Sequence, residues 1–143
     1  MITITRVLDD IINHQQIPLD RILSRYFSPG YRQRTDNKWE GLDGFAQHAR
    51  RLREIIAFAK IELHDELRNG NLYATRHRVL CTRRSGEEVD MEVYMFAEID
   101  DSGRFIRIEE ATLMLKGRES DRDLGSVRYQ TKNRAARPVI LSD

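Results

Sequence analysis

Four charged residues lie inside stretches otherwise suited to β-strands: Arg76, Arg78, Glu92 and Glu110. A carboxylate enclosed by apolar surface loses hydration, its pKa rises, and it can then act as a general acid or base near neutral pH. A guanidinium such as that of Arg76 can hold a carboxylate or phenolate with two parallel hydrogen bonds. Tyr31 or Tyr94 can donate a hydrogen bond to an oxygen on which negative charge develops. Carboxylate and tyrosine together would support removal of a proton from the carbon next to a carbonyl, with no cofactor. The same four charges can equally satisfy one another as cross-strand ion pairs, with no ligand involved.

Three long runs carry these residues, 73–83, 89–99 and 105–115, each rich in β-branched and aromatic residues. Ser85-Gly86 and Asp100-Asp-Ser-Gly103 separate them with residues that tolerate tight-turn dihedrals. Strand side chains alternate between faces, so a single parity must line any pocket. In the last run Ile106, Ile108, Glu110, Thr112 and Met114 oppose Phe105, Arg107, Glu109, Ala111 and Leu113. The sets expected to share a face with Glu110 are Glu92, Tyr94 and Phe96 in the second run and Arg76 and Arg78 in the first. A slip by one residue would bring in His77, Met95 and Glu109 instead.

Upstream, Ile4, Val7, Leu8, Ile11 and Ile12 recur at helical spacing, and Pro18 opens a second helix with Leu19, Ile22, Leu23, Tyr26 and Phe27 on its apolar face. Ser28-Pro-Gly30 ends it, and an extended piece, 31–36, follows. After a turn past Trp39, Asp43 is placed to cap a third helix over 44–58. Residues 61–67 alternate as a strand, and Asn69-Gly-Asn71 signals a hairpin. Helices first and strands after is an α+β order. A helical layer on a long, curved antiparallel sheet makes a cone, here one domain over 1–116, followed by a polar tail over 117–143.

The 143 residues nearly balance in charge, at +1, so no whole-protein field draws in nucleic acid or an anionic membrane. The tail's Arg128, Lys132, Arg134 and Arg137 form a loose basic cluster before Val139-Ile-Leu141, which can dock. No apolar run reaches membrane-spanning length, and acidic residues stand where a signal peptide would be apolar, so a cytoplasmic protein is expected. Cys81, the single cysteine, falls mid-strand as a small hydrophobe. His14, His48, His64 and His77 lack metal-ligand spacing, so no metal site is expected. His48 is read as a boundary residue of the third helix, and Tyr31 and Trp39 as packing residues before catalysts.

In this order the elements resemble the nuclear-transport-factor-two-like superfamily, and within it the SnoaL-like branch. Tyr26-Phe-Ser-Pro-Gly-Tyr-Arg-Gln-Arg34 is similar to an F-x-P-D-Y-x-Q-H signature. Asp43-Gly-Phe45, Ala74-Thr-Arg-His77 and Ser102-Gly-Arg-Phe-Ile-Arg-Ile-Glu-Glu110 match as well. The resemblance implies a cone-shaped α+β barrel, three N-terminal helices on a strongly curved antiparallel sheet, with a pocket between helices and concave face and pairing through the convex face. It also implies Glu110 as the acidic pocket residue of the last strand, and Tyr31 and Gln33 as a polar pair facing the pocket. With Glu110 as acid/base and Tyr31 as donor, the ligand contacts expected are Gln33, Arg76, Arg78, Glu92, Tyr94, Phe96, Ile108 and Thr112. Arg34 replaces the signature histidine, and Arg76, Arg78 and Glu110 depart from the Asp-Arg-Asp set of the epoxide hydrolases, which disfavours that reaction.

Three functions remain open at this level. One is an isomerase, cyclase or dehydratase acting on a carbonyl compound. Another is a non-catalytic, dimeric binder of a small hydrophobic or acidic molecule. The third is an interaction module that uses its convex face.

Overall fold

The computed structural model describes residues 1–117. Apolar residues three and four apart wind Ile4–Asn13 into α1, which buries Ile4, Val7, Ile11 and Ile12. The Thr3 hydroxyl caps its start by accepting from the Arg6 N–H. Pro18 opens α2, Leu19–Tyr26, with Leu19, Ile22, Leu23 and Tyr26 buried. The chain passes directly into β1 (Phe27–Thr35), turns back through β2 (Lys38–Gly41), and enters α3 (Leu42–Ile55). Four long strands follow: β3 (Ile56–Asn69), β4 (Leu72–Arg83), β5 (Glu88–Ile99) and β6 (Phe105–Lys116).

One sheet results, in the order β2-β1-β6-β5-β4-β3, and the three helices pack on it to give a cone-shaped α+β fold. Strands joined by short turns are obliged to run antiparallel, and β3 to β6 do so. β1 instead pairs parallel with β6, a departure from the expected all-antiparallel sheet. α3 and four hairpin turns separate those two strands, so no short turn dictates their direction. Arg53 of α3 holds the helical layer together: its guanidinium donates to the carbonyls of Asp10 and Ile11 in the last turn of α1 and of His14, Gln15 and Ile17 in the segment that follows. Asp10 and Ile11 are among the carbonyls a helix terminus leaves without intrahelical partners.

Several boundaries differ from expectation. β2 was not foreseen; Asp36 and Asn37, with φ of 47° and 73°, form the two-residue hairpin turn that creates it. Gly41, not Asp43, is the N-cap of α3, and Asp43 lies within the first turn. Residues 56–58, expected in the helix, already belong to β3, because pairing with β4 from Ile56 opposite Arg83 overrides the helical spacing. Trp39 is 50% exposed on edge strand β2, with the guanidinium carbons of Arg32 and Arg34 4.9 Å and 5.7 Å from its ring centroid. It is a surface cation–π platform and not a core residue. The tail's basic cluster and Val139-Ile-Leu141 lie outside the described residues.

The largest correction concerns which residues share a face. The β5–β6 hairpin starts with Ile99 opposite Phe105, a register that carried forward would set Tyr94 opposite Glu110. A bulge between Ile99 and Glu98 shifts the pairing by one residue, and Glu110 lies opposite Met95. A one-residue shift exchanges every side chain between the two faces. The row across the sheet therefore runs Thr35, Glu110, Met95, Thr75. Arg76, Arg78, Glu92, Tyr94 and Phe96, expected to share the pocket face, project from the opposite one. The acid of β6 keeps its place, while its expected neighbours on β4 and β5 change sides.

Candidate functional site

The space between the helices and the inner sheet face is a cavity of about 100 Å³. α1 contributes Leu8, Ile11 and Ile12; α3 contributes Phe45, His48, Ala49 and Leu52. From the sheet come Gln33, His77, Val79, Met91, Val93, Met95, Glu110 and Thr112. Periodicity explains the helical contributions, since 8, 11 and 12 share one side of α1 and 45, 48, 49 and 52 one side of α3.

Glu110 is the acid of this cavity. The β1–β2 turn holds its backbone: the Asp36 N–H donates to the Glu110 carbonyl, and an Asp36 carboxylate oxygen accepts from the Thr112 N–H. Burial, with a smaller contribution from the negative charge of Asp36, pushes the Glu110 carboxyl up to about 7. Among the described residues no side chain hydrogen-bonds or ion-pairs to it. At neutral pH it therefore divides between acid and base, as proton transfer requires.

Behind it lies a buried polar chain. Tyr31, 2% exposed, donates its hydroxyl proton to Gln33 Oε1 at 2.8 Å. The Gln33 amide nitrogen donates to Thr35 Oγ1 at 3.1 Å and to Glu40 Oε2 at 2.9 Å. His48 Nδ1 stands 4.0 Å from the same Glu40 oxygen. Burial, then the Glu110 charge, holds the Tyr31 hydroxyl well above its ordinary value, so it stays protonated. On β4, His77 is 3% exposed and shares a 2.8 Å hydrogen bond with Thr75 Oγ1; burial lowers its imidazole to about 4, leaving it neutral at pH 7. Burial likewise raises the Cys81 thiol to about 11, so it is no nucleophile.

The expected site residues thus divide in two. Gln33, Glu110 and Thr112 line the cavity, and Ile108 is buried in the row of Gln33 and Ala97. Tyr31 is buried beside the cavity without lining it. On the other face, Arg76 pairs with Asp65 and Glu92 at 2.8 Å and 2.9 Å, Arg78 pairs with Asp90, and Tyr94 donates to Glu92. Tyr94 and Phe96 are 47% and 48% exposed there. Their removal from the cavity follows from the bulge, and the alternative reading of Arg76, Arg78 and Glu92 as cross-strand ion pairs describes their contacts.

His48, His77, Glu40 and Met95 were absent from the expected site. His48, read as a boundary residue, is 4% exposed, and its position three residues after Phe45 was the available signal. Glu40 carried no signal, because it lies on the strand that sequence did not reveal. A second, open groove of about 890 Å³ runs beside α1. There Asp9, Asp10 and His14 bring one potential ligand atom each within 4.8 Å. Asp10 already accepts from Tyr26 Oη at 2.5 Å and lies 2.6 Å from His14 Nδ1.

This cone of helices on a mixed sheet, with an acid on its last strand facing the interior, is a nuclear-transport-factor-two-like architecture. Residues 6–108 match the SnoaL-like domain, and the chain belongs to that family. An uncharacterised protein of Schizosaccharomyces pombe is 37% identical over 105 residues, covering 73% of this chain and 80% of that protein. A proposed SnoaL-like polyketide cyclase from Jannaschia superposes with a TM-score of 0.58 at 16% identity, over 75% of this chain and 83% of that one. A nuclear-transport-factor-two-like protein of unknown function from Exiguobacterium gives 0.61 at 16% identity, over 75% and 98%. A proposed isomerase from Rhodopseudomonas palustris gives 0.63 at 9%, over 74% and 82%. At these identities the likeness to solved structures is one of fold. No described helix is long and apolar enough to cross a membrane.

Proposed function

We propose that this chain binds a small carbonyl compound in the inner cavity and removes a proton from the carbon beside the carbonyl, with Glu110 as the acid/base. The reading belongs to isomerase, cyclase or dehydratase chemistry and uses no cofactor. One observation carries it: a carboxyl at about 7, without a partner among the described side chains, in a cavity otherwise lined mostly by aliphatic and thioether groups. Gln33 and Thr112 contact the ligand, and Tyr31 acts from behind through Gln33. Among the described residues no lysine or arginine lines the cavity, which favours a hydrophobic, uncharged ligand over an acidic one. A cytoplasmic location fits the lone, buried Cys81.

Exchange of carbon-bound protons into D2O, followed by proton NMR over a panel of small ketones and aldehydes, tests this directly. The unaltered chain should accelerate exchange for at least one compound, and Glu110→Gln should reduce that rate by roughly a hundredfold or more. Equal rates in the two proteins would remove Glu110 from the chemistry.

A second reading is a non-catalytic dimerisation module of the same fold. It is favoured by the outer sheet face, where Leu67, Tyr94, Phe96, Leu113 and Leu115 are all exposed. An apolar surface of that kind marks an association site, and pairing of two copies through it is compatible with either function.

A further inference from the structure

The inner cavity holds a titratable group that the proton abstraction leaves unused, His77 of β4. Its ring is 3% exposed, and Nδ1 shares a 2.8 Å hydrogen bond with Thr75 Oγ1, two residues back on the same face of the strand. That bond sets the orientation of the imidazole, which burial keeps neutral at pH 7. The other nitrogen, Nε2, has no partner among the described residues, and it is not enclosed, so it opens onto the cavity that the ring lines. A polar atom so placed, left without a partner when the cavity fills, costs about as much as a lost hydrogen bond. Gln33 is committed elsewhere: its amide hydrogens go to Thr35 and Glu40, and its oxygen accepts from Tyr31. Thr112, Val93 and His77 form one row across β6, β5 and β4, next to the row of Glu110, Met95 and Thr75. β4 and β6 are thus roughly 10 Å apart across the sheet, and its curvature turns Glu110 and His77 toward the same space.

We infer that His77 Nε2 holds a hydroxyl of the ligand, so that the compound on which Glu110 acts is a small, uncharged hydroxy ketone or hydroxy aldehyde. This rests on the proton-abstraction reading above and names its substrate class. A neutral imidazole presents either an N–H or a bare nitrogen at Nε2, and a hydroxyl answers both, accepting from the first and donating to the second. A carbonyl or an ether answers only the first. A carboxylate would give up its hydration in a cavity that, among the described residues, no lysine or arginine lines. Size narrows the class further. A cavity of about 100 Å³ is smaller than the roughly 150 Å³ that admits benzene, which limits the ligand to about five non-hydrogen atoms. His77 binds the hydroxyl and takes no proton from carbon; Thr75 is a positioning residue that sets the ring.

Hydroxyacetone and butanone test this as a pair, because they have the same number of non-hydrogen atoms and differ by a hydroxyl in place of a methyl. Proton NMR in D2O follows exchange of the methyl next to the carbonyl in each, divided by the rate without protein. The unaltered chain should favour hydroxyacetone by about tenfold. His77→Leu should abolish that preference, and His77→Gln, whose amide reaches to about where Nε2 stood, should keep most of it. No preference in the unaltered chain, a preference that survives in His77→Leu, or one lost equally in both variants overturns the assignment. A second measurement needs no turnover and no variant: each ketone is titrated into the unaltered chain carrying 15N-histidine. Hydroxyacetone should move the His77 Nε2 signal and butanone should not; a signal that stays still with hydroxyacetone, or moves equally with both, overturns the assignment. If neither ketone exchanges faster with the chain than in its absence, the proton-abstraction reading fails by itself, and the titration still decides whether His77 holds a hydroxyl.

Discussion

Glu109 and Glu110 are adjacent in β6 and occupy opposite environments. Glu109 faces outward, where Arg34 at 2.5 Å and Arg107 at 2.7 Å donate to it. Those hydrogen bonds, that of Arg34 first, hold its carboxyl below the ordinary glutamate value despite some desolvation. Glu110 faces inward with no arginine paired to it among the described residues, and burial lifts it to about 7. The same contrast runs through the sheet. The outer face carries Arg76 with Asp65 and Glu92, and Arg78 with Asp90, while the inner face carries Met95, Val93, His77 and Val79. Charge on the outer face is compensated and contributes little that a solvated ion pair would not. On the inner face the charge of Glu110 has no partner among the described side chains, the setting in which a carboxyl is held near neutral pH.

The pH dependence of stability should break this comparison open most clearly. The folded protein holds Glu110 at about 7 against 4.5 for an ordinary glutamate, so folding favours its protonated form. Its contribution to stability is full below about 4.5 and is lost as pH rises toward 7, by about 2–3 kcal/mol with allowance for partial solvent access. His77, lowered from 6.5 to about 4, acts in the opposite sense: its contribution is full above 6.5 and is lost as pH falls toward 4, by about 3 kcal/mol. The two slopes oppose each other between about 4.5 and 6.5, so the unaltered chain should show a nearly level urea-unfolding profile there. Glu110→Gln should unmask a stability that rises with pH across that window and should exceed the parent at pH 8. His77→Gln should unmask a fall. Level profiles in both variants would mean that neither group is held as its surroundings require.

The outer face offers the next effect. Phe96→Glu places a charge among the exposed apolar side chains, and it should weaken self-association by about a hundredfold or more, read by sedimentation velocity at micromolar concentration. A parent that sediments as a monomer would remove pairing through this face. The smallest effect belongs to Glu109→Gln, which should leave the unfolding midpoint almost unchanged, because its ion pairs are solvated. A large loss there would erase the distinction between the two faces.

Much of the architecture was legible. The apolar spacing of α1 and α2, the turn residues at Asn69-Gly-Asn71 and Asp100-Asp-Ser-Gly103, and the composition of β4 to β6 are local signals that tertiary contacts reinforce. β2 was not legible, because four residues with an exposed tryptophan carry no periodicity and gain their strand geometry from pairing with β1. The first part of β3 was misread for a related reason: Ile55, Ile56 and Ala59 fit a helical stripe as well as a strand, and only β4 decides between them. Within the site, Glu110, Gln33 and Thr112 were found through the parity of β6 and the family pattern. His48 was underrated, since a histidine on an apolar helix face gives no sign of the carboxylate opposite it.

What the amino-acid order determined is the inventory: three helices before four long strands, and a glutamate in the last strand among residues of alternating polarity. Those features depend on spacing and turn chemistry within a few residues. What tertiary structure decided is which side of the sheet each of those residues occupies. The side follows from strand register, and in the β5–β6 hairpin the register depends on the bulge between Glu98 and Ile99. Because a strand repeats every two residues, that single offset sends Arg76, Glu92 and Tyr94 outward and brings His77 and Met95 in beside Glu110.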